Sequence, residues 1–202
     1  MRTSDELRDA EPRPVWWDGV HTGPQTQPLR GRIKADLVVV GGGYTGLWAA
    51  IEALTADPGR RVVVLEQSWV GAAASGRNGG FVSESLTHGI AHGEAMWPDE
   101  LDELQRQGRQ NVQEIASLLQ RHEIDAGLRL VGKTTLARTP HEVEALRNAV
   151  SSHARRGEDV EFLDCAQVRA DIHSAAFRGG LRIHSGGLVD PMARRGGSLR
   201  AV

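Results

Sequence analysis

Residues 35–67 read ADLVVVGGGYTGLWAAIEALTADPGRRVVVLEQ, and no other stretch constrains the fold as tightly. The apolar run Leu37 to Val40 leads straight into Gly41-Gly42-Gly43-Tyr44-Thr45-Gly46. Gly41, Gly43 and Gly46 take the three glycine positions of G-x-G-x-x-G. A helical pattern follows, with Leu47, Ala50, Ile51 and Leu54 on one face. A second apolar run, Val62 to Leu65, ends in Glu66. The order strand, tight turn, helix, strand, acid predicts a βαβ unit of the kind that holds a dinucleotide.

Each part of that unit has a physical role. Gly41 permits the sharp turn off the strand, and Gly43 leaves room for a pyrophosphate against the backbone. Gly46 lets the helix pack closely on the sheet. The free N–H groups and the dipole at the helix N-terminus favour phosphate. Glu66 lies 20 positions after Gly46, the spacing expected of an acid that accepts hydrogen bonds from a ribose. Tyr44 and Thr45 in the turn and Gln67 after the acid complete this set of candidate contacts. Tyr44 suits either packing on a cofactor or capping the sheet. Glu66 would repel a 2′-phosphate, but the motif alone does not separate NAD from FAD.

The bulk properties narrow the class. A chain of 202 residues suits one ordinary domain or one and a half small ones. Apolar residues make up 40% and mean hydropathy is −0.35, a soluble globular composition. No run approaches the roughly 18 apolar residues that span a bilayer. The start, MRTSDELRDAEPRP, has no apolar core and is not a secretory signal. The single cysteine, Cys165, rules out an intrachain disulfide and suits a cytoplasmic location. Net charge is −2 with the signs interspersed, so neither nucleic acid nor an anionic membrane is an expected partner.

Residues 1–31 are polar, with Pro12, Pro14, Pro24 and Pro28 favouring irregular backbone. Val15-Trp16-Trp17 is the exception, since two large rings gain by packing on the body of the protein. Pro98 is expected to open a long helix with a stripe of Leu101, Leu104, Val112, Ile115 and Leu119. Residues 128–139 read as a strand bent at Gly132. A second helix should run from Pro140, through Val143, Leu146 and Val150, to Gly157. Asp164 and Gln167 form a capping box for a short helix. Residues 177–189 read as a strand pair turning at Ser185-Gly186-Gly187.

The segment Ala73-Ala74-Ser75-Gly76-Arg77-Asn78-Gly79-Gly80-Phe81 weighs on the choice of cofactor. Its small residues let the backbone pass close to something bulky. Ser75, Arg77 and Asn78 are donors, and Arg77 adds a charge suited to phosphate or to a developing anion. An NAD domain has no general need for such a segment after its second strand. A flexible glycine loop is the plain alternative.

Here the chain resembles the D-amino-acid oxidase-like flavoproteins, which include glycine oxidase, sarcosine oxidase and the gamma-glutamylputrescine oxidase branch. The resemblance rests on DLVVVGGGYTGLWAA…VVVLEQ paired with AASGRNGGF. Further support comes from Trp16-Trp17-Asp18, SLTHGIAHGEAMWPDELDEL, DVEFLD and GGLVDP. It implies FAD, bound covalently or not, in a two-domain fold, and oxidation of a C–N bond in a small amine or amino acid. Hydride would pass from the α-carbon to flavin N5, and the imine would then hydrolyse. Gly41, Gly43 and Gly46 would sit at the pyrophosphate and Glu66 at the ribose. Ala74, Ser75, Gly76, Arg77, Asn78, Gly79 and Gly80 would line the path toward the flavin ring.

The expected fold class is α/β: a Rossmann-type FAD-binding βαβ domain with the start of an α+β substrate domain, an incomplete fold. The expected divisions are an N-terminal extension (1–31), the FAD-binding βαβ and flavin-contact segment (32–84), a helical segment and partial substrate domain (85–185), and a truncated return (186–202). Asp190-Pro191 should start a helix, but Met192 to Val202 lose the apolar spacing, and Gly196-Gly197 disfavour helix. The chain therefore reads as truncated and inactive alone. The alternative reading is a non-catalytic fragment that keeps part of a nucleotide site. No catalytic side chain is legible, and chemistry carried by a flavin does not require one. His88 and His92 are four apart, but Gly89 and Gly93 make a helix doubtful there and no third ligand is evident, so no metal is expected. Cys165 reads as structural.

Overall fold

The computed structural model describes residues 13–18 and 27–193. Pro12, Pro24 and the stretch from Arg194 to Val202 lie outside the described residues. The chain divides into two compact units, Met1–Gly79 with Asp190–Val202, and Gly80–Val189.

In the first unit, β1 (Leu37–Val40) and β2 (Val62–Leu65) pair in parallel, with Leu37 opposite Val62 and Val40 opposite Leu65. The crossover between them is α1 (Tyr44–Ala56). Ala50 of α1 is buried, Leu47 and Leu54 are half-buried, and Ile51 is exposed. Parallel sheets are ordinarily covered on both faces; here Val38 and Val40 remain 51% and 85% exposed. Asp36 and Arg61 fasten the open end of the strands. The Arg61 guanidinium donates to Asp36 Oδ1 at 3.0 Å, and its backbone N–H to Oδ2 at 2.8 Å. Trp17 packs edge-on against Trp69 at 4.9 Å, so the tryptophans do find the body of the protein. Asp190 and Pro191 start no helix among the described residues: Met192 N–H closes a turn on Asp190 Oδ1 at 2.8 Å.

The second unit is built on an antiparallel sheet of order β4 (Lys133–Ala137), β6 (Gly179–Ile183), β5 (Val160–Leu163). The connections α4 (Pro140–Arg155) and α5 (Cys165–Ile172) pack on it. Leu163, Val168, Leu181 and Ile183 are buried in its core. The capping box of Asp164 and Gln167 is present, with both bonds made, and Thr139 and Glu142 form a second. Two short strands, β3 (Phe81–Val82) and β7 (Gly187–Leu188), pair separately. The helices α2 (Ile90–Met96) and α3 (Leu101–Arg121) complete the unit.

Four expectations are corrected. The long helix begins at Leu101, since residues 98–100 form a turn. A helix does form across His92 and Gly93. A side chain at Gly93 would lie 2.5 Å from Leu101 Cδ1, so close packing compensates for its weak helix propensity. The strand at 128–139 starts only at Lys133, because Gly132 turns the chain with φ +76. Finally, the strands within 177–189 do not pair with each other: both edges of β6 are taken by β4 and β5, and β7 turns to β3. No helix among the described residues is long and apolar enough to cross a membrane.

Candidate cofactor site

The glycine turn is built as its sequence requires. Gly41 adopts φ +107, and its N–H donates to the Leu65 carbonyl at 2.7 Å, which ties the turn to β2. A Cβ on Gly46 would lie 2.1 Å from the Gly41 carbonyl oxygen, so the third glycine is what lets α1 begin so close to the turn. Gly43 is the N-cap of α1 with an ordinary φ of −85, so its need is for space and not for conformation. A Cβ there would meet Ser75 Oγ at 3.1 Å.

Three chain segments converge on this helix start. Glu66 Oε2 accepts from the Gly42 N–H at 2.7 Å and Oε1 from the Ser68 N–H at 2.9 Å. These donors, Ser68 first, hold the Glu66 carboxyl below its usual range, so it is an anion at neutral pH. A carboxylate has about four lone-pair sites, and the two amides leave room for further donors. Ser75 Oγ accepts the Tyr44 N–H at 2.9 Å and keeps a proton to donate. Gly71 N–H donates to the Gly42 carbonyl at 3.0 Å, which draws the segment after β2 against the turn.

The segment itself is a 3-10 turn, Ala74–Gly76, braced by its own side chains. Asn78 Nδ2 donates to the Ser75 carbonyl at 2.7 Å, and Arg77 Nε to the Ala72 carbonyl at 2.9 Å. Gly76 is buried; a Cβ there would lie 2.4 Å from the Gly71 carbonyl and 2.5 Å from Met192 Sδ. The Tyr44 hydroxyl donates to the Pro191 carbonyl at 3.0 Å, and burial pushes its pKa up. Thr45, Gln67, Ala74 and Gly79 are exposed. Gly80 belongs to the second unit, where its carbonyl accepts the Val189 N–H at 2.8 Å.

Sequence reasoning missed Ser68 as an anchor of Glu66 and Ser75 as the cap of α1. No local pattern signals a cap 31 residues away from the amide it serves. His92 Nδ1 lies 2.8 Å from the Thr87 carbonyl, and His88 precedes α2 with φ +56, so the two do not share a helix face. Cys165 is the first residue of α5, half-buried, with Sγ 3.8 Å from the Phe177 carbonyl.

Gamma-glutamylputrescine oxidoreductase of Escherichia coli (strain K12) is 32% identical over 179 residues, 86% of this chain and 41% of that protein. Glycine oxidase of Geobacillus kaustophilus superposes with a TM-score of 0.59 at 27% identity, over 78% of this chain and 41% of that one. Glycine oxidase of Bacillus cereus ATCC 14579 gives 0.60 at 24% identity, over 79% of this chain and 41% of that one. The chain thus spans about two fifths of the length of these relatives. The family described as DAO, FAD dependent oxidoreductase, matches residues 36–194, and FAD, the cofactor expected from the sequence, is the cofactor of that family. With its glycine turn, its acid-ended second strand and a family match over most of its length, the chain belongs to the FAD dependent oxidoreductases.

Proposed function

We propose that the whole protein uses FAD to oxidise the C–N bond of a small amine or amino acid, and that this chain carries the adenosine and pyrophosphate half of the cofactor site. The observation that carries the reading is the start of α1, with the Glu66 carboxylate on one side and the Ser75 hydroxyl on the other. Helix amides and a hydroxyl that still has a proton suit a pyrophosphate, and an ionised carboxylate suits a diol. FAD, when bound, supplies the hydride acceptor. Gly41, Gly43 and Gly46 shape the phosphate cradle, with Tyr44 and Thr45 in the first turn of the helix. Glu66 and Gln67 flank the ribose. Ala74, Ser75, Gly76, Arg77, Asn78, Gly79 and Gly80 lead toward the flavin ring. In this reading residues 32–84 hold the cofactor, 85–185 begin the substrate domain and 186–202 return toward the cofactor, in a cytoplasmic enzyme. The exposed side chains of Val38 and Val40 on β1 favour a second reading, in which these 202 residues bind nucleotide without turnover.

Titration calorimetry with FAD and with NAD tests the cofactor. FAD is expected to bind the tighter of the two and to show flavin absorbance in the visible; tighter NAD binding overturns the reading. A peroxide or dye-reduction assay with a panel of amines and amino acids separates the two functional readings. Glu66→Gln keeps the shape and removes the charge. Glu66 is only half-buried, so FAD affinity should fall by only about fivefold. An unchanged affinity would remove Glu66 from the ribose site.

A further inference from the structure

The two tryptophans ahead of the βαβ unit grip the candidate flavin segment. The 3-10 turn Val15–Trp17 places both indoles on main-chain carbonyls. Trp16 Nε1 donates to the Asn78 carbonyl at 2.8 Å, and Trp17 Nε1 to the Gly76 carbonyl at 3.0 Å. The Arg77 guanidinium, between these two residues, lies over the Trp17 ring at 4.2 Å, and Trp17 itself meets Trp69 edge-on. Three successive residues, 76 to 78, are thus held by side chains some sixty positions earlier.

The grip has a directional consequence. No peptide bond among the described residues is cis, and in a trans peptide the C=O and the next N–H point in opposite directions. Holding the Asn78 carbonyl toward Trp16 therefore turns the Gly79 N–H away from it. That N–H has no partner among the described residues, and Gly79 is exposed. Gly76 is buried and its carbonyl is held by Trp17, which limits any compensating shift. Arg77, for its part, is engaged by the Trp17 ring and the Ala72 carbonyl, which assigns its charge to bracing the segment.

From this we infer that Trp16 and Trp17 are positioning residues for the cofactor. They form a clasp that sets the 76–79 backbone in advance and aims the Gly79 N–H at an acceptor on the flavin ring. The inference rests on the FAD reading above. Its signature is selective: the clasp acts on the flavin half of the molecule and leaves ADP, which lacks that half, to Gly41–Gly46 and Glu66.

The test uses the full chain with Trp16→Phe, Trp17→Phe and the double variant, which keep an aromatic ring and delete the indole donors. Affinities for FAD and for ADP are measured by calorimetry, and hydrogen exchange across residues 72–80 is followed without nucleotide. The double variant is expected to lose about tenfold in FAD affinity, to hold ADP within twofold and to exchange faster in that segment. A purely structural role would weaken FAD and ADP by the same factor, and that result, or unchanged FAD affinity and exchange, overturns the clasp. A wild-type chain that binds neither nucleotide overturns the cofactor reading; exchange that is no faster in the double variant would then sink the clasp by itself.

Discussion

Gly108→Ala is expected to lower the melting temperature of the second unit by about 10 °C, although alanine is the better helix former. Gly108 lies in the middle of α3 and is buried. On propensity alone the substitution should stabilise by about 1 kcal/mol. A Cβ at this position, however, would lie 1.7 Å from the carbonyl oxygen of Glu84 and 2.7 Å from its carbonyl carbon. Both are backbone atoms, so no side-chain rotation relieves the overlap, and the 83–85 stretch or the helix must move. Overpacking of this kind costs about 3 kcal/mol, which exceeds the propensity gain. Asn111→Ala, on the exposed face of the same helix, serves as the control and should melt at or above wild type. Circular dichroism melts decide it: a Gly108→Ala variant as stable as the control would show that the approach of Glu84 is not rigid.

Gly43→Val and Gly46→Val should fail in different ways, and the contrast separates a ligand requirement from a folding requirement. At Gly46 a side chain meets the Gly41 carbonyl at 2.1 Å and Val39 Cγ1 at 3.0 Å. The helix would be driven off β1, with a loss of about 3 kcal/mol or more and visible loss of helix signal. At Gly43 the nearest atom is Ser75 Oγ at 3.1 Å, the end of a side chain that can rotate. The fold should survive with near wild-type circular dichroism. FAD affinity should fall by about a hundredfold or more, because the branched side chain fills the space a pyrophosphate needs. Normal FAD binding by folded Gly43→Val would remove that turn from the phosphate site.

The βαβ unit was readable because every signal for it is local. Leu37–Val40, the three glycines, the α1 face and Val62–Leu65 lie within 33 consecutive residues of the sequence and reinforce one another. The box of Asp164 and Gln167 was readable for the same reason, since its donors and acceptors are three residues apart. The helix stripe on α3 was read only in part. Leu101 and Val112 are buried as expected, but Gln105 and Gly108 share that face. Gln105 is admitted there because its amide donates to Glu158 at 3.1 Å, a partner 53 positions away.

By itself, then, the sequence determined the glycine turn, its flanking strands and the acid that ends β2, since short-range sterics and hydrophobic period dictate them. The tertiary structure decided which strands pair, that α2 forms across two glycines, that Ser75 caps α1 and that two tryptophans hold Gly76 and Asn78. Each of those outcomes is a hydrogen bond or close contact between residues far apart in the chain. Periodicity and propensity describe only neighbours along the chain, so they are silent about which distant donor reaches which carbonyl.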